Sequence, residues 1–345
     1  MKNIQKLIRK NIASLAPYST ARDEYKGALG VLLDANENPN DNGINRYPST
    51  MLKEQLRSEI AAARGVDSQN LFLGNGSDEA IDLCFRVFCD PGRDNAVSIA
   101  PSYGMYGVCA DINDVEFRPV QLGDDFSLPA ERLLAVADEH TKLMFICSPN
   151  NPTANAFTRE EIVSLIEKFD GIVVLDEAYV DFSAIASLKD LVAQYSNLIV
   201  LQTMSKAYGM AGLRVGLAIS NPLIINTFRQ VKYPYNIGTD TIAAALEALR
   251  AFDDRQITEI ISQRELLAVE FKKLGYVRKV WPSDANFLLV EFDDANAVYD
   301  LLLAGGVIVR NRSNVKGCEG CLRITVGTPV ENEKMIKILA QYERS

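Results

Sequence analysis

The stretch LIVLQTMSKAYGMAGLRVG, residues 198–216, places a single lysine just after a run of apolar residues. The apolar run is typical of a buried strand, and the small and polar residues after it indicate a loop. Lys206 lies in that loop, and Arg214 follows it. Most lysines are solvated, so this position alone favours an exposed side chain. An amine that attacks a carbonyl must instead be held close and deprotonated, which burial or a neighbouring cation achieves.

Short apolar runs alternate with helical patterns around this stretch, between residues 50 and 235. This alternation predicts an α/β fold in which helices cover both faces of a mostly parallel sheet. In such sheets, ligands bind at the carboxyl ends of the strands. The predicted helices are 50–64, 77–89 and 158–169, and the predicted strands are LFLG, AVSIA, VEFRPV, KLMFIC, GIVVLDE and LIVLQT.

A second, smaller unit is predicted after the alternation breaks at residues 233–235. A long run of helix formers, 239–274, is followed by the apolar runs FLLVEF, VIVRN and LRITVGT and by a last helix from residue 331. This order is typical of an α+β domain. We expect an N-terminal arm that contributes to the small domain and to dimer contacts, a large domain and a small domain, over 1–30, 31–240 and 241–345.

The composition is that of a soluble globular protein, with 48% hydrophobic and 23% charged residues. A net charge of −9 disfavours binding to nucleic acid, so an anionic ligand would need clustered arginines. No run approaches the ~18 apolar residues of a membrane span. We therefore expect a cytoplasmic protein that binds neither nucleic acid nor membrane.

Histidine and cysteine usage restricts the chemistry. His140 is the only histidine and lies at a predicted helix end, which argues against a Ser-His-Asp mechanism. Cys318 and Cys321 have CxxC spacing, but a closed zinc site needs a second pair of ligands. No metal site is therefore expected.

Three further stretches follow predicted strand ends and so converge with Lys206 on one crevice. GNGSDE leads into a helix whose free N–H groups suit a phosphate, although a plain N-cap by Ser77 or Asp78 is the more ordinary interpretation. CSPNNPTAN, residues 147–155, presents amide groups, although taken alone it is simply a turn. Asp176 ends an apolar strand, as either a helix cap or the partner of a buried cation.

Together these groups are what pyridoxal 5′-phosphate needs from a protein. A lysine binds the cofactor covalently, a buried acid keeps its pyridine nitrogen protonated, and a backbone cradle with an arginine holds its phosphate. No single motif is decisive. Their order and spacing favour this cofactor.

The motifs SPNNPT, LDEAYVDF, SKAYGMAGLRVG and CLRITVGT resemble those of the fold-type I pyridoxal-phosphate-dependent aminotransferases, and within them the histidinol-phosphate aminotransferases. The similarity extends from LAPYSTARDEY and LDANENP through RYP, GNGSDE and PSYGMYG to the last strand. One position departs from the family, because Ala154 follows NNPT where glycine is usual. A positive φ there would cost alanine on the order of 1 kcal/mol.

The resemblance implies a role for each residue of the crevice. Lys206 would bind the cofactor covalently, and Asp176 would pair with its pyridine nitrogen. The other cofactor contacts would be Asn151 and Tyr179 at the 3′ oxygen and Tyr103 on the ring face. The phosphate would be held by the backbone groups of Ser77 and Asp78, by Ser205 and Arg214, and Tyr47 would reach the phosphate of the neighbouring subunit. This last contact implies a homodimer with shared active sites.

The resemblance also implies the substrates. Arg310 and Arg323 would hold the substrate phosphate, because two guanidiniums suit a dianion, although surface salt bridges are the ordinary alternative. Tyr18 and Asn36, the latter in the segment NEN at 36–38, would line the same pocket. The reaction would convert L-histidinol phosphate and 2-oxoglutarate into imidazole acetol phosphate and L-glutamate, a step of histidine biosynthesis.

Three alternatives stay open at this stage. An aromatic amino-acid aminotransferase and a threonine-phosphate decarboxylase share most of these motifs, and they would show reaction with tyrosine or phenylalanine, or release of carbon dioxide. A non-catalytic sensor domain of a transcription regulator could also bind the cofactor. The acidic balance and the lack of an added DNA-binding segment before residue 30 argue against the sensor.

Overall fold

The structure is a computed structural model of the chain that describes residues 2–342 apart from 17, 19 and 25–29. This part of the chain forms a seven-stranded and a four-stranded β-sheet. The strands are β1 (Leu71–Asn75), β2 (Asn95–Ala100), β3 (Glu116–Gln121), β4 (Thr141–Cys147), β5 (Ile172–Asp176), β6 (Leu198–Thr203), β7 (Val215–Ile219), β8 (Val277–Val280), β9 (Phe287–Phe292), β10 (Arg310–Asn311) and β11 (Cys321–Thr325). The α-helices are α1 (Lys10–Ala13), α2 (Ala21–Glu24), α3 (Thr50–Arg64), α4 (Ser77–Phe88), α5 (Met105–Ile112), α6 (Ala130–Val136), α7 (Arg159–Lys168), α8 (Pro222–Val231), α9 (Thr239–Arg250), α10 (Arg255–Lys272), α11 (Ala295–Ala304) and α12 (Pro329–Tyr342).

The seven-stranded sheet confirms the predicted, mostly parallel architecture. Its strand order is β1-β7-β6-β5-β4-β2-β3, and all neighbours from β6 to β3 run parallel. Strand β7 is antiparallel to both β6 and β1. The connection from β6 to β7 holds only a short 3-10 helix, Ala211–Leu213, and so lacks the long crossover that a parallel pairing needs.

The central strands are continuous apolar runs because both faces of the sheet are covered. Successive side chains of a strand point to opposite faces. In β5, Val173 and Leu175 belong to one hydrophobic cluster, whereas Ile172 and Val174 belong to another on the opposite side. A strand that is buried on both faces needs apolar residues at every position. Asp176 is thus the first polar side chain that β5 presents, at its carboxyl end.

Strand register brings the ends of three strands to one edge. Asp176 lies opposite Cys147 of β4 and opposite Leu201 of β6. The loop that carries Asn151 follows β4, and the loop that carries Lys206 follows β6. The parallel register therefore places the predicted amide loop, acid and lysine at the same edge of the sheet.

The three helices predicted before residue 170 agree with α3, α4 and α7 to within one residue at each end. Helix α3 begins after Ser49, whose side chain accepts a hydrogen bond from Leu52 N, and ends at Gly65 in the left-handed conformation. Helix α7 begins with a capping box between Thr158 and Glu161. Local capping residues thus set these boundaries.

The four-stranded sheet is antiparallel, in the order β10-β11-β9-β8. Its core includes Phe271 of α10, Val298 of α11 and Leu339 of α12, so the predicted α+β unit is present. The run 239–274 is not one helix, because α9 and α10 are separated at residues 251–254. The domain bounds 31–240 and 241–345 stay a prediction.

The arm predicted over 1–30 lies partly outside the described residues. Within its described part, Ile4 and Ile8 are buried in the same hydrophobic cluster as Phe85 and Phe228, beside the seven-stranded sheet. Arg9 N also donates a hydrogen bond of 2.9 Å to Val87 O at the end of α4. These contacts attach the start of the chain to the large sheet. Among the described residues, no helix combines the length and the apolar composition that crossing a membrane requires.

Ala154 adopts the conformation that glycine would adopt more easily, with φ at 70°. Its methyl group is fully buried in a cluster with Tyr179 and Phe287. The alanine thus tolerates the strain rather than avoiding it. Its packing contributes free energy that offsets the backbone cost.

We expect Ala154→Gly to change the free energy of unfolding by little. Relief of backbone strain, on the order of 1 kcal/mol, balances the lost methyl burial, ~0.8 kcal/mol. Ala285 is buried in the same cluster and has no positive φ. Ala285→Gly should therefore cost about 1–2 kcal/mol, since only losses apply there. Urea unfolding compares the two variants, and equal losses would contradict the strain assigned to Ala154.

Candidate active site

A cavity of about 80 Å³ lies at the carboxyl edge of the seven-stranded sheet. It brings together every predicted cofactor contact except Tyr47. The lining residues are Ser77, Asp78, Tyr103, Cys147, Asn151, Asp176, Ala178, Tyr179, Thr203, Ser205, Lys206 and Arg214. Residues far apart in the sequence thus meet at the point where β4, β5 and β6 end.

Asp176 is buried at the floor of this cavity. Its Oδ2 accepts a hydrogen bond of 2.6 Å from the Tyr106 hydroxyl, and its Oδ1 accepts one of 3.1 Å from Ala178 N. Burial raises the pKa of this carboxyl, while the two hydrogen bonds and the charge of Lys206 lower it. The carboxylate is therefore costly to keep charged, and it would favour a cationic partner.

Lys206 opens onto the same cavity, with its Nζ 5.7 Å from the centre of the Tyr179 ring. It has no ion pair with any carboxylate in the described ranges of the chain. Although the Lys206 side chain is partly exposed, desolvation lowers the pKa of the amine, and the charges of Arg323 and Arg214 lower it further. These influences favour the neutral amine that nucleophilic attack requires.

The start of α4 forms an anion cradle. Gly76, at φ 75°, is the N-cap, and no side chain of the described residues caps the helix. The plain N-cap by Ser77 or Asp78 is therefore wrong, and the first N–H groups of α4 have no side-chain acceptor in the part of the chain that the structure describes. A Cβ on Gly216 would collide with the backbone N of Ser77, so this glycine allows β7 to pack directly against the cradle.

Two side chains complete the cradle. Arg214 Nη2 lies 3.2 Å from Asp78 Oδ2, and Arg214 O accepts a hydrogen bond of 2.6 Å from Gly76 N. The hydroxyl of Ser205 is buried and has no hydrogen-bond partner among the residues that the structure describes. Backbone N–H groups, a guanidinium and an unpaired hydroxyl are the donors that a phosphate accepts.

A polar chain connects the cavity to the four-stranded sheet. Tyr179 OH accepts a hydrogen bond of 3.3 Å from Asn151 Nδ2, and Asn151 Oδ1 accepts one of 2.6 Å from Arg323 Nη1. Tyr103 OH donates a hydrogen bond of 3.0 Å to Asp78 Oδ1. The predicted 3′-oxygen contacts and the predicted substrate arginine thus belong to one network.

Three arginines form a region of like charge beside this network. Arg310 lies opposite Arg323 in the β10–β11 register, and Arg312, two residues further along the chain, shares the face of Arg310. None of the three has an ion pair with a carboxylate within the part of the chain that the structure describes. Arg312 Nε is buried and finds no hydrogen-bond partner in the described chain. The surface salt bridges considered for Arg310 and Arg323 are therefore not what the described residues form.

Sequence reasoning missed two residues here. Arg312 could have been found from strand alternation, because RNR places both arginines on one face. Desolvation and the charges of Arg323 and Arg310 lower its pKa. Tyr106, the donor to Asp176, gave no comparable signal, since a tyrosine in PSYGMYG fits a plain helix start.

Three predicted residues lie elsewhere. Tyr47 is about half exposed and stacks on Tyr235, with ring centroids 4.3 Å apart. Tyr18 lines a separate cavity of about 290 Å³, whose lining also includes Tyr235. Asn36 is exposed, in a loop where the neighbouring Glu37 side chain accepts a hydrogen bond of 2.6 Å from Tyr47 N. Within one chain, these residues do not reach the cavity of Lys206.

The residues present fit pyridoxal phosphate. A buried carboxylate without a cation, an amine with a lowered pKa and an uncapped helix start with an unpaired hydroxyl match its pyridine nitrogen, aldehyde and phosphate. Asp176 would hold the ring nitrogen, Lys206 would bind the aldehyde carbon, and Ser205, Arg214 and the start of α4 would hold the phosphate.

We expect burial of Asp176 to appear in the stability of the cofactor-free chain. The pKa of Asp176 is raised in the folded state. Below about pH 4 the carboxyl is protonated in both the folded and the unfolded state, so its burial costs no charge-related stability. As pH rises through the folded-state pKa, the buried charge lowers the free energy of unfolding. Asp176→Asn should therefore gain stability relative to wild type between acidic and neutral pH. Urea unfolding across that range measures the difference.

Asp124→Asn, at an exposed aspartate, controls for the general effect of replacing one carboxylate by an amide. A stability difference from wild type that does not vary with pH for Asp176→Asn would refute the desolvation of Asp176.

The comparisons with known proteins agree with this geometry. The family model for aminotransferase class I and II matches residues 23–339. A histidinol-phosphate aminotransferase of Bacteroides fragilis is 50% identical over 346 residues, covering 99% of this chain and 100% of the relative.

Solved structures share the fold. The crystal structure of the histidinol-phosphate aminotransferase from Clostridium acetobutylicum has a TM-score of 0.78 at 24% identity, covering 87% of this chain and 91% of that one. The enzyme of Sinorhizobium meliloti, solved in complex with pyridoxal-5′-phosphate, has a TM-score of 0.76 at 22% identity, covering 86% and 84%. They agree with the predicted fold-type I architecture. With a family model that matches most of its length, this chain belongs to the class I and II aminotransferase family, which depends on pyridoxal phosphate.

Proposed function

We propose that this chain transfers the amino group of L-histidinol phosphate to 2-oxoglutarate, giving imidazole acetol phosphate and L-glutamate in histidine biosynthesis. The observation that carries the proposal is a group of three guanidiniums, Arg310, Arg312 and Arg323, that have no carboxylate partner among the described residues. Arg323 connects this group to the cavity of Lys206 and Asp176, because it donates a hydrogen bond to Asn151 in the cavity lining. The 50% identity with the B. fragilis enzyme over the full length supports the same substrate. We place the reaction in the cytoplasm, where the buried cysteines stay reduced.

Four residues of the cavity have a direct part in this reaction. When bound, pyridoxal phosphate supplies an electron sink for the charge that develops on the substrate carbon. Lys206 Nζ removes the proton from the carbon that bears the substrate amine, and its lowered pKa suits a base. The Asp176 carboxylate would hold the pyridine nitrogen and stabilise its protonated form by charge. Asn151 and Tyr179 would hold the 3′ oxygen of the cofactor, and hydrogen bonds link them to Arg323.

The arginines select the substrate. A phosphate dianion gains more than a single carboxylate from several guanidiniums, because each arginine donates two directed hydrogen bonds. Glutamate and 2-oxoglutarate must use the same pocket in the second half of the reaction. The direct hydrogen bond between Arg323 and Asn151 supports Arg323 as the arginine that would bind this carboxylate.

We expect L-histidinol phosphate, added without a keto acid, to bleach the yellow absorption of the cofactor-loaded protein, and 2-oxoglutarate to restore it. L-histidinol is the matched control, since it lacks only the phosphate. It should react far more weakly, as should tyrosine and phenylalanine. Arg310→Gln should raise KM for L-histidinol phosphate by about tenfold through one lost charge-assisted contact, with a smaller effect on glutamate.

Other outcomes would select among the alternatives. Bleaching by aromatic amino acids alone would keep Lys206 and Asp176 in their roles and exclude phosphate binding by the arginines. Release of carbon dioxide from threonine phosphate would indicate the decarboxylase. No reaction with any amine would indicate the sensor.

A homodimer with shared active sites is part of the proposal. Tyr47 does not line the cavity of its own chain, and its ring lies on the surface against Tyr235. A second copy of the chain would bring this tyrosine to the phosphate cradle. The catalytic unit would then need Lys206 from one subunit and Tyr47 from the other.

Mixed dimers test this sharing. Lys206→Ala and Tyr47→Phe chains with different tags would be co-expressed, and the mixed species purified. One of its two sites combines an intact Lys206 with an intact Tyr47, so we expect about half of the wild-type activity. A mixed species no more active than the mean of its parents, or a monomer in sedimentation, would contradict the shared site.

A further inference from the structure

Tyr106 is a buried tyrosine whose hydroxyl contacts the key carboxylate of the site. It lies in the first turn of α5 and has no exposed surface. Its hydroxyl donates the 2.6 Å hydrogen bond to Asp176 Oδ2. It does not line the cavity around Lys206. Tyr106 therefore cannot touch a ligand there, and any effect on one must pass through Asp176.

The ring of Tyr106 is held on two sides. It stacks on Phe145, with centroids 4.8 Å apart at 18°, and meets Tyr103 edge-on at 5.6 Å and 84°. Surroundings of this kind suit phenylalanine, and a buried hydroxyl costs free energy unless it is paired. Burial also raises the pKa of Tyr106, so the phenol keeps its proton and remains a donor. The hydroxyl thus has a use that packing does not explain.

The carboxylate needs this donor. Two charged side chains act on Asp176 from nearby, with opposite effects: Lys206 favours the carboxylate and Asp78 disfavours it. Ala178 N is bound to the other oxygen, Oδ1. Among the described residues, Tyr106 is the one side chain that donates a hydrogen bond to Asp176.

We propose that Tyr106 is a positioning residue that holds Asp176 charged and aimed at the pyridine nitrogen of the cofactor. The inference rests on the cofactor assignment in the proposed function and does not depend on the substrate. Without the hydroxyl, Oδ2 would lose its one side-chain donor among the described residues, and burial would favour the protonated acid. A neutral acid cannot stabilise a protonated ring nitrogen by charge.

The test compares Tyr106→Phe with Tyr276→Phe. Tyr276 is also buried, and its hydroxyl donates a hydrogen bond of 2.8 Å to Leu339 O in the other sheet's core, so the control removes a comparable bond away from the site. We expect Tyr106→Phe to raise the dissociation constant of pyridoxal phosphate by at least about tenfold, as for a hydrogen bond to a charged group. We also expect it to move the NMR shift of the isotope-labelled pyridine nitrogen toward the neutral form. Tyr276→Phe should change neither.

A double-mutant cycle locates the effect. In an Asp176→Asn background, Tyr106→Phe should weaken cofactor binding much less, because the two residues act as one unit. An undiminished effect in that background would show that Tyr106 acts by another route, and this would overturn the inference. Equal losses of thermal stability in both tyrosine variants, with cofactor affinity and nitrogen shift unchanged, would also overturn it.

A fluorinated tyrosine at position 106 covers the case in which Tyr106→Phe does not fold. The fluorinated side chain is nearly isosteric with tyrosine, and its hydroxyl is a stronger hydrogen-bond donor. The NMR shift of the pyridine nitrogen should therefore move further toward that of the protonated form. An unchanged shift would reject the proposal. These measurements contain no substrate. A failure of wild type to react with L-histidinol phosphate would therefore refute the proposed function and leave the Tyr106 result intact.

Discussion

A carboxylate buried at the end of an apolar strand is the constraint on which the site depends. Asp176 follows four fully buried residues of β5, and desolvation opposes its charge. Two hydrogen bonds, from Tyr106 and Ala178 N, hold it in place. The same strand that forms the core thus positions Asp176 at its carboxyl end. Because the buried carboxylate is costly to keep charged, it favours a ligand that carries a positive charge.

The surroundings of Lys206 also disfavour a charged side chain, and they lower the pKa of the amine. Lys206 lies beyond the next strand, and desolvation together with Arg323 and Arg214 disfavours its protonated form. Acid and amine could neutralise one another by direct pairing, but the structure keeps them apart as an acid with a raised pKa and an amine with a lowered one. A ligand with a basic nitrogen and an electrophilic carbon satisfies both groups at once.

Strand composition made part of this architecture predictable from the sequence. The apolar runs β4, β5 and β6 indicated the parallel sheet, and the polar residues just after them indicated the cavity. Contacts between distant elements were not predictable, as with Tyr106, whose partner is 70 residues away. Tyr18, Asn36 and Tyr47 lie in irregular segments whose position depends on long-range contacts, so motif order alone could not place them.

Two residues beside the site adopt a conformation that glycine adopts more readily. Ala154 has φ at 70° and Arg214 has φ at 55°. Each costs on the order of 1 kcal/mol. Ala154 is compensated by its packing on Tyr179, which aligns the aromatic side of the cavity. Arg214 has no comparable burial. In this strained conformation the carbonyl of Arg214 accepts a hydrogen bond from Gly76 N, and the guanidinium points toward the same cradle. An anion bound in the cradle would therefore offset the backbone strain of Arg214, which packing does not offset.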